Sequence, residues 1–360
     1  MKSSQKPVSL YIHWPYCLSK CPYCDFASCA CPDIDENMLW DGYVRDINQF
    51  LSHRPIATVF FGGGTPSLMS VGFFDKILNL IIKKTILLPN CEITIEANPD
   101  AITLDKMRDF KSLGVNRLSL GIQALNDSDL RFLGRHHDVR TALQRLKEAQ
   151  TVFDRINMDL IYARPNQTVS DWTKELKSAL SLGLSHYSLY QLTIEPETSF
   201  GRQGIQSADE KTAVRLYRQT DEIMCDAGVP AYEISNYARI GQECRHNLVY
   251  WQGGDYIGIG PAAHGRIGMK ATQNPKNVKD WLAKGPLIEI LTPLEKETEL
   301  LLMGLRLRQA WFPDQKLSAS KVAALVRQGL LEQSSQGIRP TLDGALVLNQ
   351  IILELLPDQG

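Results

Sequence analysis

The chain has 360 residues, 44% of them hydrophobic and 22% charged, with a formal net charge of −1. That length holds one large domain or two ordinary ones, and the composition is that of a folded globular protein rather than a disordered one. The near-zero charge argues against dominant electrostatic binding to nucleic acid or to an anionic membrane.

No apolar run is long enough for a membrane span; the nearest, ILNLIIKKTILL, is broken by Lys83 and Lys84. The stretch MKSSQKPVSLYIHW lacks the apolar segment of a secretory leader, so a cytoplasmic location is expected. In that reducing compartment a tight group of thiols binds metal or does redox chemistry sooner than it forms a disulfide framework.

Along the chain, short runs rich in Val, Ile and Tyr alternate with stretches of helical period. Strands are predicted at VSLYIHW, TVFFGGG, CEITIEAN, RLSLGIQ, INMDLIY and HYSLYQLT. Helices are predicted between them over 35–51, 67–83, 103–112, 138–152 and 170–182, with Thr103 and Ser170 as plausible caps. The alternation implies βαβ units and a parallel sheet buried on both faces. Six repeats suggest an α/β fold built as a partial (β/α)6 TIM-like barrel rather than an open sheet.

After about residue 228 the alternation stops, and 229–292 reads as an accessory segment rich in Gly, Tyr and Asn. GIGPAAHG within it lacks the strand–helix context of a dinucleotide fingerprint and reads as a turn, with His264 packed structurally. Helical period returns from Leu294, and 293–360 reads as a small, mostly helical, winged-helix-like C-terminal domain. It has no basic stripe, so no nucleic-acid partner is expected.

Five of the eight cysteines fall within Cys17–Cys31. Cys17, Cys21 and Cys24 form C-x3-C-x2-C just after the first predicted strand. Three thiolates on one loop suit a 4Fe-4S cluster whose fourth iron has no protein ligand, whereas zinc wants four ligands and paired C-x2-C spacing. Incidental thiols are the bland alternative; the spacing, the strand-end position and the downstream FFGGGTPS segment all speak against it. Cys29 and Cys31 match no pattern and receive no role.

With an aromatic before the last cysteine, this motif resembles the radical S-adenosylmethionine (SAM) superfamily. The resemblance implies that SAM chelates the open iron and that an electron from the reduced cluster cleaves its sulfonium to methionine and a 5′-deoxyadenosyl radical. YIHWPYC, GGGTPS, IEANPD, LGRHH, NMDLIYARPNQT and SLYQLTIEPETSF narrow it to the oxygen-independent coproporphyrinogen oxidase family and its haem-chaperone branch. YARPNQT departs from the family's more common glycine-rich loop.

By position, the resemblance implies a radical SAM core over 1–228 and SAM contacts at Tyr11, Tyr23, Gly63, Gly64, Thr65, Glu96, Gln123, Arg135 and Asp159. Carboxylates at strand ends suit ribose hydroxyls or an ammonium, Arg135 suits a carboxylate, and Gln123 offers both donor and acceptor. Of His136 and His137, one is expected to point outward.

The oxidase pattern has a further cysteine where this chain has Phe26, and a longer segment before the first strand. CRHNLVYW contains H-N-x-x-Y-W, which resembles the haem-chaperone branch. That implies His246 as ligand to haem iron, with Tyr250 and Trp251 offering flat surface to a porphyrin. Taken alone, a histidine beside aromatics is more often a hydrogen-bonded structural residue, and Cys244 is an alternative ligand.

The reading is a haem chaperone with a 4Fe-4S cluster and SAM as cofactors and haem as cargo. The implied partners are haem-requiring apoproteins, including membrane-bound respiratory enzymes that would bring it peripherally to the membrane, and an electron donor for the cluster. A homodimer is compatible with it. The alternatives are anaerobic coproporphyrinogen III oxidase and, less favoured, a radical methyltransferase.

Overall fold

The computed structural model describes residues 6–31, 33–51, 54–311 and 317–356. The stretch read for a leader begins at residues 1–5, which lie outside them. Among the described residues no helix is long and apolar enough to cross a membrane.

Six parallel strands pair in chain order: β1 (Val8–Trp14), β2 (Ile56–Gly63), β3 (Leu87–Ala97), β4 (Arg117–Gln123), β5 (Ile156–Tyr162) and β6 (His186–Gln191). Between them run α1 (Glu36–Phe50), α2 (Val71–Lys84), α3 (Leu104–Ser112), α4 (Asp127–Phe132), α5 (Val139–Gln150) and α6 (Val169–Ser181), with α7 (Glu210–Asp226) after β6. Near-continuous burial along β1 and β5 marks strands covered on both faces. Each long helix turns an apolar stripe to the sheet: Phe74 of α2 meets Phe61 of β2 at 4.4 Å between ring centres, and Phe110 of α3 at 5.0 Å.

Strands β6 and β1 do not pair with each other among the described residues, so the barrel is partial, as expected. Beyond β6 the sheet gains β7 (Asn236–Ala238) antiparallel. Beyond β1 it gains β8 (Tyr256–Ile259) in parallel, then β9 (His264–Ile267), β10 (Lys270–Gln273) and β11 (Leu287–Ile290) as an antiparallel meander. The end of the strand–helix alternation is therefore not the end of the sheet. GIGPAAHG is the end of one strand, a turn and the start of the next, and His264 is exposed.

Helix starts also differ in detail. The cap of α6 is Thr168 rather than Ser170, because Thr168 and Asp171 form a reciprocal capping box. Helix α2 starts at Val71 under a Ser70 cap, since a 3-10 turn at Pro66–Leu68 takes the first predicted residues. Helix α4 is too short to show a period.

The accessory segment also contains α8 (Arg245–Trp251) and α9 (Val278–Lys284). The remaining chain forms α10 (Pro293–Gly304), α11 (Ala319–Arg327), the β12 (Leu331–Ser334)–β13 (Gly337–Pro340) hairpin, α12 (Leu342–Leu346) and α13 (Leu348–Leu355). It encloses its own apolar core, including Leu301, Leu325, Ile338, Ile351 and Ile352.

Candidate functional site

The C-terminal ends of the barrel strands open into a cavity of about 480 Å³. This is where a parallel barrel presents its loops. Just after β1, residues Tyr16–Cys17 pair with Cys29–Ala30 in a two-residue ladder, so the intervening loop returns on itself. The Cys31 amide donates to Cys17 O at 3.0 Å and the Cys29 amide to Pro15 O at 2.9 Å. Cys17, Cys21 and Cys24 are free thiols on the cavity wall; Cys29 and Cys31 are not among its lining residues.

The glycine run serves close approach. Gly63 has φ +112°, and a Cβ there would lie 2.7 Å from the His13 ring and from Trp14 O. A Cβ on Gly64 would lie 2.5 Å from Tyr16 O and 3.0 Å from Cys17 Sγ. Both positions thus keep the cysteine loop tight against β2.

From that loop a polar chain crosses the cavity. Arg135 Nη1 lies 3.4 Å from Cys21 Sγ, and Nη2 donates to Gly121 O at 3.1 Å and to the Asn98 side-chain oxygen. Asn98 in turn donates to Thr65 Oγ1 at 3.1 Å. Glu96 accepts from the Gly63 amide at 3.2 Å; burial first, and the Asp159 carboxylate second, push its carboxyl up to about 8. Asp159 is raised by burial as well, against hydrogen bonds from Ser188, Asn157 and Ser119. Gln123 ends β4 at φ 71°, a conformation that non-glycine residues adopt mainly where the surroundings impose it.

Helix α8 brings His246 and Tyr250 to the same cavity from the barrel's β2 side. His246 is buried, and both ring nitrogens are engaged: Nδ1 lies 2.7 Å from Thr58 Oγ1 and Nε2 2.7 Å from Tyr250 Oη. Tyr11 and Phe60 close the wall beside it. All nine positions given to SAM therefore share one cavity with the three cysteines and with His246 and Tyr250. Trp251 is not among the lining residues; its indole Nε1 is buried without a partner. Cys244 is fully buried and directs its thiol to Glu92 Oε1 at 3.6 Å, away from any ligand role. His136 is the outward histidine, bonded to Ser19, and His137 is the buried one, bonded to Ile122 O.

A model of the radical SAM superfamily matches residues 11–179. The heme chaperone HemW of Buchnera aphidicola subsp. Acyrthosiphon pisum is 34% identical over 96% of this chain and 97% of its own. HemW of Escherichia coli is 35% identical, over 94% and 90%. The chain belongs to the radical SAM superfamily, in its HemW branch.

A mitochondrial radical S-adenosyl methionine domain-containing protein 1 of Bos taurus is 37% identical, over 97% of this chain and 87% of that one. The solved coproporphyrinogen III oxidase HemN of Escherichia coli superposes with a TM-score of 0.85 at 22% identity, over 99% and 91%, and so shares the fold.

A radical SAM domain implies a 4Fe-4S cluster and SAM, and the donor set in this HemW-branch cavity fits them. Among the described residues no three His, Cys, Asp or Glu side chains converge on a single-ion site. The three thiols suit a polynuclear group instead, in which each thiolate takes its own iron. Arg135 supplies positive charge beside Cys21, and Glu96 with Asp159 offers acceptors deeper in the cavity.

Sequence reasoning missed Asn98 and Arg117, both on the cavity wall, and Thr58 and Glu92, which hold His246. Asn98 lies inside the quoted IEANPD and could have been found there. The other three carry no local signal.

Proposed function

We propose that this HemW-branch protein binds haem in the cavity shared by its cysteine loop and α8, and passes it to apoproteins. The observation that carries this reading is the convergence of His246 and Tyr250 with the cysteine triad in one open cavity. The relatives named heme chaperones, matched over nearly their full length, support it.

In this reading Cys17, Cys21 and Cys24 hold the cluster. Tyr11, Tyr23, Gly63, Gly64, Thr65, Glu96, Gln123, Arg135 and Asp159 bind and orient SAM, which with the cluster supplies one-electron radical chemistry when bound. Glu96 accepts from the Gly63 amide and holds its proton at neutral pH; a cationic group entering the cavity would favour its carboxylate form. Tyr11 and Phe60 exclude water from the His246 side. Haem-requiring apoproteins, membrane-bound respiratory enzymes among them, receive the cargo, and an electron donor serves the cluster.

The second reading is coproporphyrinogen III oxidation, favoured by the HemN-like fold. Against it, Phe26 stands 59% exposed at the cavity mouth, where the oxidase pattern has a cysteine. The deciding experiment is a haem titration of the reconstituted protein with coproporphyrinogen III turnover measured alongside. Stoichiometric haem binding without turnover is expected; robust formation of protoporphyrinogen IX would overturn the carrier reading.

A further inference from the structure

His246 Nε2 is poorly placed for direct contact with a macrocycle. It is 1% exposed, stacked on Phe60 at 5.0 Å and met edge-on by Tyr250 at 5.1 Å. The Thr58 hydroxyl donates to Ser9 Oγ at 2.7 Å, so toward His246 it accepts, and Nδ1 carries the hydrogen. Nε2 is then the bare nitrogen, and the Tyr250 hydroxyl donates to it at 2.7 Å. A porphyrin is a rigid disc whose iron needs a protruding axial ligand. To reach iron, Nε2 would have to lose Tyr250 and leave its enclosure, whereas Tyr250 is half-buried on the cavity wall and already backed by a proton acceptor.

We propose that Tyr250 Oη is the axial ligand to ferric haem in this protein, with His246 Nε2 as the base that takes its proton; the inference rests on the haem-carrier reading above. Phenolate is an established axial ligand of haem iron. The Tyr250 O–H bond breaks, its proton moves to Nε2, an oxygen lone pair forms the Fe–O bond, and water leaves the iron. No electron is transferred.

The imidazolium that forms keeps its Nδ1–H bond to Thr58; Glu92, whose Oε1 accepts the His246 backbone amide at 3.1 Å, favours its charge and Arg117 opposes it. Without iron the pair stays neutral, since the His246 ring is buried and a separated charge pair there would be poorly solvated. The positive charge of a ferric porphyrin offsets that cost. A ferrous porphyrin has no net charge at its centre and does not, so reduction favours release.

The test uses the full-length reconstituted protein titrated with haemin and followed by absorption and resonance Raman. The wild-type ferric complex is expected to show a phenolate-to-iron charge-transfer band and phenolate modes that shift when tyrosine is ring-deuterated. Tyr250→Phe is expected to lose both and to bind haemin on the order of 100-fold more weakly, and His246→Gln on the order of 10-fold more weakly. Dithionite is expected to release haem from the wild type.

A histidine-ligated spectrum that survives in Tyr250→Phe and vanishes in His246→Gln would overturn the inference and leave the carrier reading standing. Absence of stoichiometric haemin binding to the wild type would overturn both. Should Tyr250→Phe fail to fold, the isotope shift in the wild type decides alone.

Discussion

Glu96 shows how one side chain reports on the cavity. Its carboxyl is raised from 4.5 to about 8 by burial and by Asp159. Between those values the native state holds a proton that the unfolded chain has released, so stability falls as pH rises through this window and levels off above it. Glu96→Gln removes the titration. Its unfolding free energy is expected to gain on that of the wild type from about pH 5 to about pH 8, by on the order of 1–2 kcal/mol, a modest figure because the carboxyl faces an open cavity. A gap that does not change with pH would refute this account. The chemistry of such residues was only half legible. Cysteine spacing and glycine runs are local and could be read directly. The raised proton affinity of Glu96 depends first on burial in the folded cavity and then on a carboxylate on another strand, 63 residues away in sequence, so no local pattern announces it.

Helix α8 depends on a single buried carboxylate from elsewhere in the chain. Cys244, at its N-cap position, makes no side-chain cap, and Glu92 of β3 serves instead, accepting from the amides of Arg245 at 3.3 Å and His246 at 3.1 Å. Glu92 also pairs with Arg155 at 2.6 Å. Burial alone would raise its pKa, but Arg117, Arg155 and the His246 amide overcome that and hold it below the ordinary value. Its contribution is therefore present above the unfolded pKa and lost as pH falls through the lower folded value. Glu92→Ala leaves Arg155 without its carboxylate and the helix without its cap, and is expected to cost about 3–5 kcal/mol. Haem titration of the surviving folded protein should show weakened binding, because α8 places both His246 and Tyr250. A loss below about 1 kcal/mol, within the ordinary range for one neutral hydrogen bond, would show that the helix is held by packing alone.

At this scale the six parallel strands were readable because each is long, apolar and followed by a periodic helix. The added strands β7–β11 were not. They have three or four residues each, and four of the five find antiparallel rather than parallel neighbours. The cap of α6 was misplaced for a related reason: Thr168 and Ser170 are both good cap residues, and only the reciprocal bond with Asp171 selects the first.

In the whole molecule, the accessory strands and the last helices are joined to the barrel by different means. The accessory segment joins the barrel's own sheet and core through β8 and Trp281, and adds buried polar contacts: Asp46 of α1 accepts from the Gly260 amide at 3.1 Å, Asn274 at 2.9 Å and the Trp281 indole at 2.8 Å. Residues from Pro293 onward instead enclose a separate apolar core. Their seam to the barrel includes Arg308, which donates to Tyr217 at 2.7 Å and pairs with Asp221 at 3.1 Å, and a few residues of α12 on the main core. Two separate cores joined by a seam of polar contacts and a few apolar ones should unfold in separate steps. Ile351→Ala, which opens a cavity in the smaller core, is expected to cost about 2–5 kcal/mol there. In a calorimetric scan the loss should appear as a downward shift of one transition, while the other transition and the iron content after reconstitution stay unchanged. If instead one transition moves as a unit, the seam couples the two cores, and the C-terminal helices help to hold the cavity in shape.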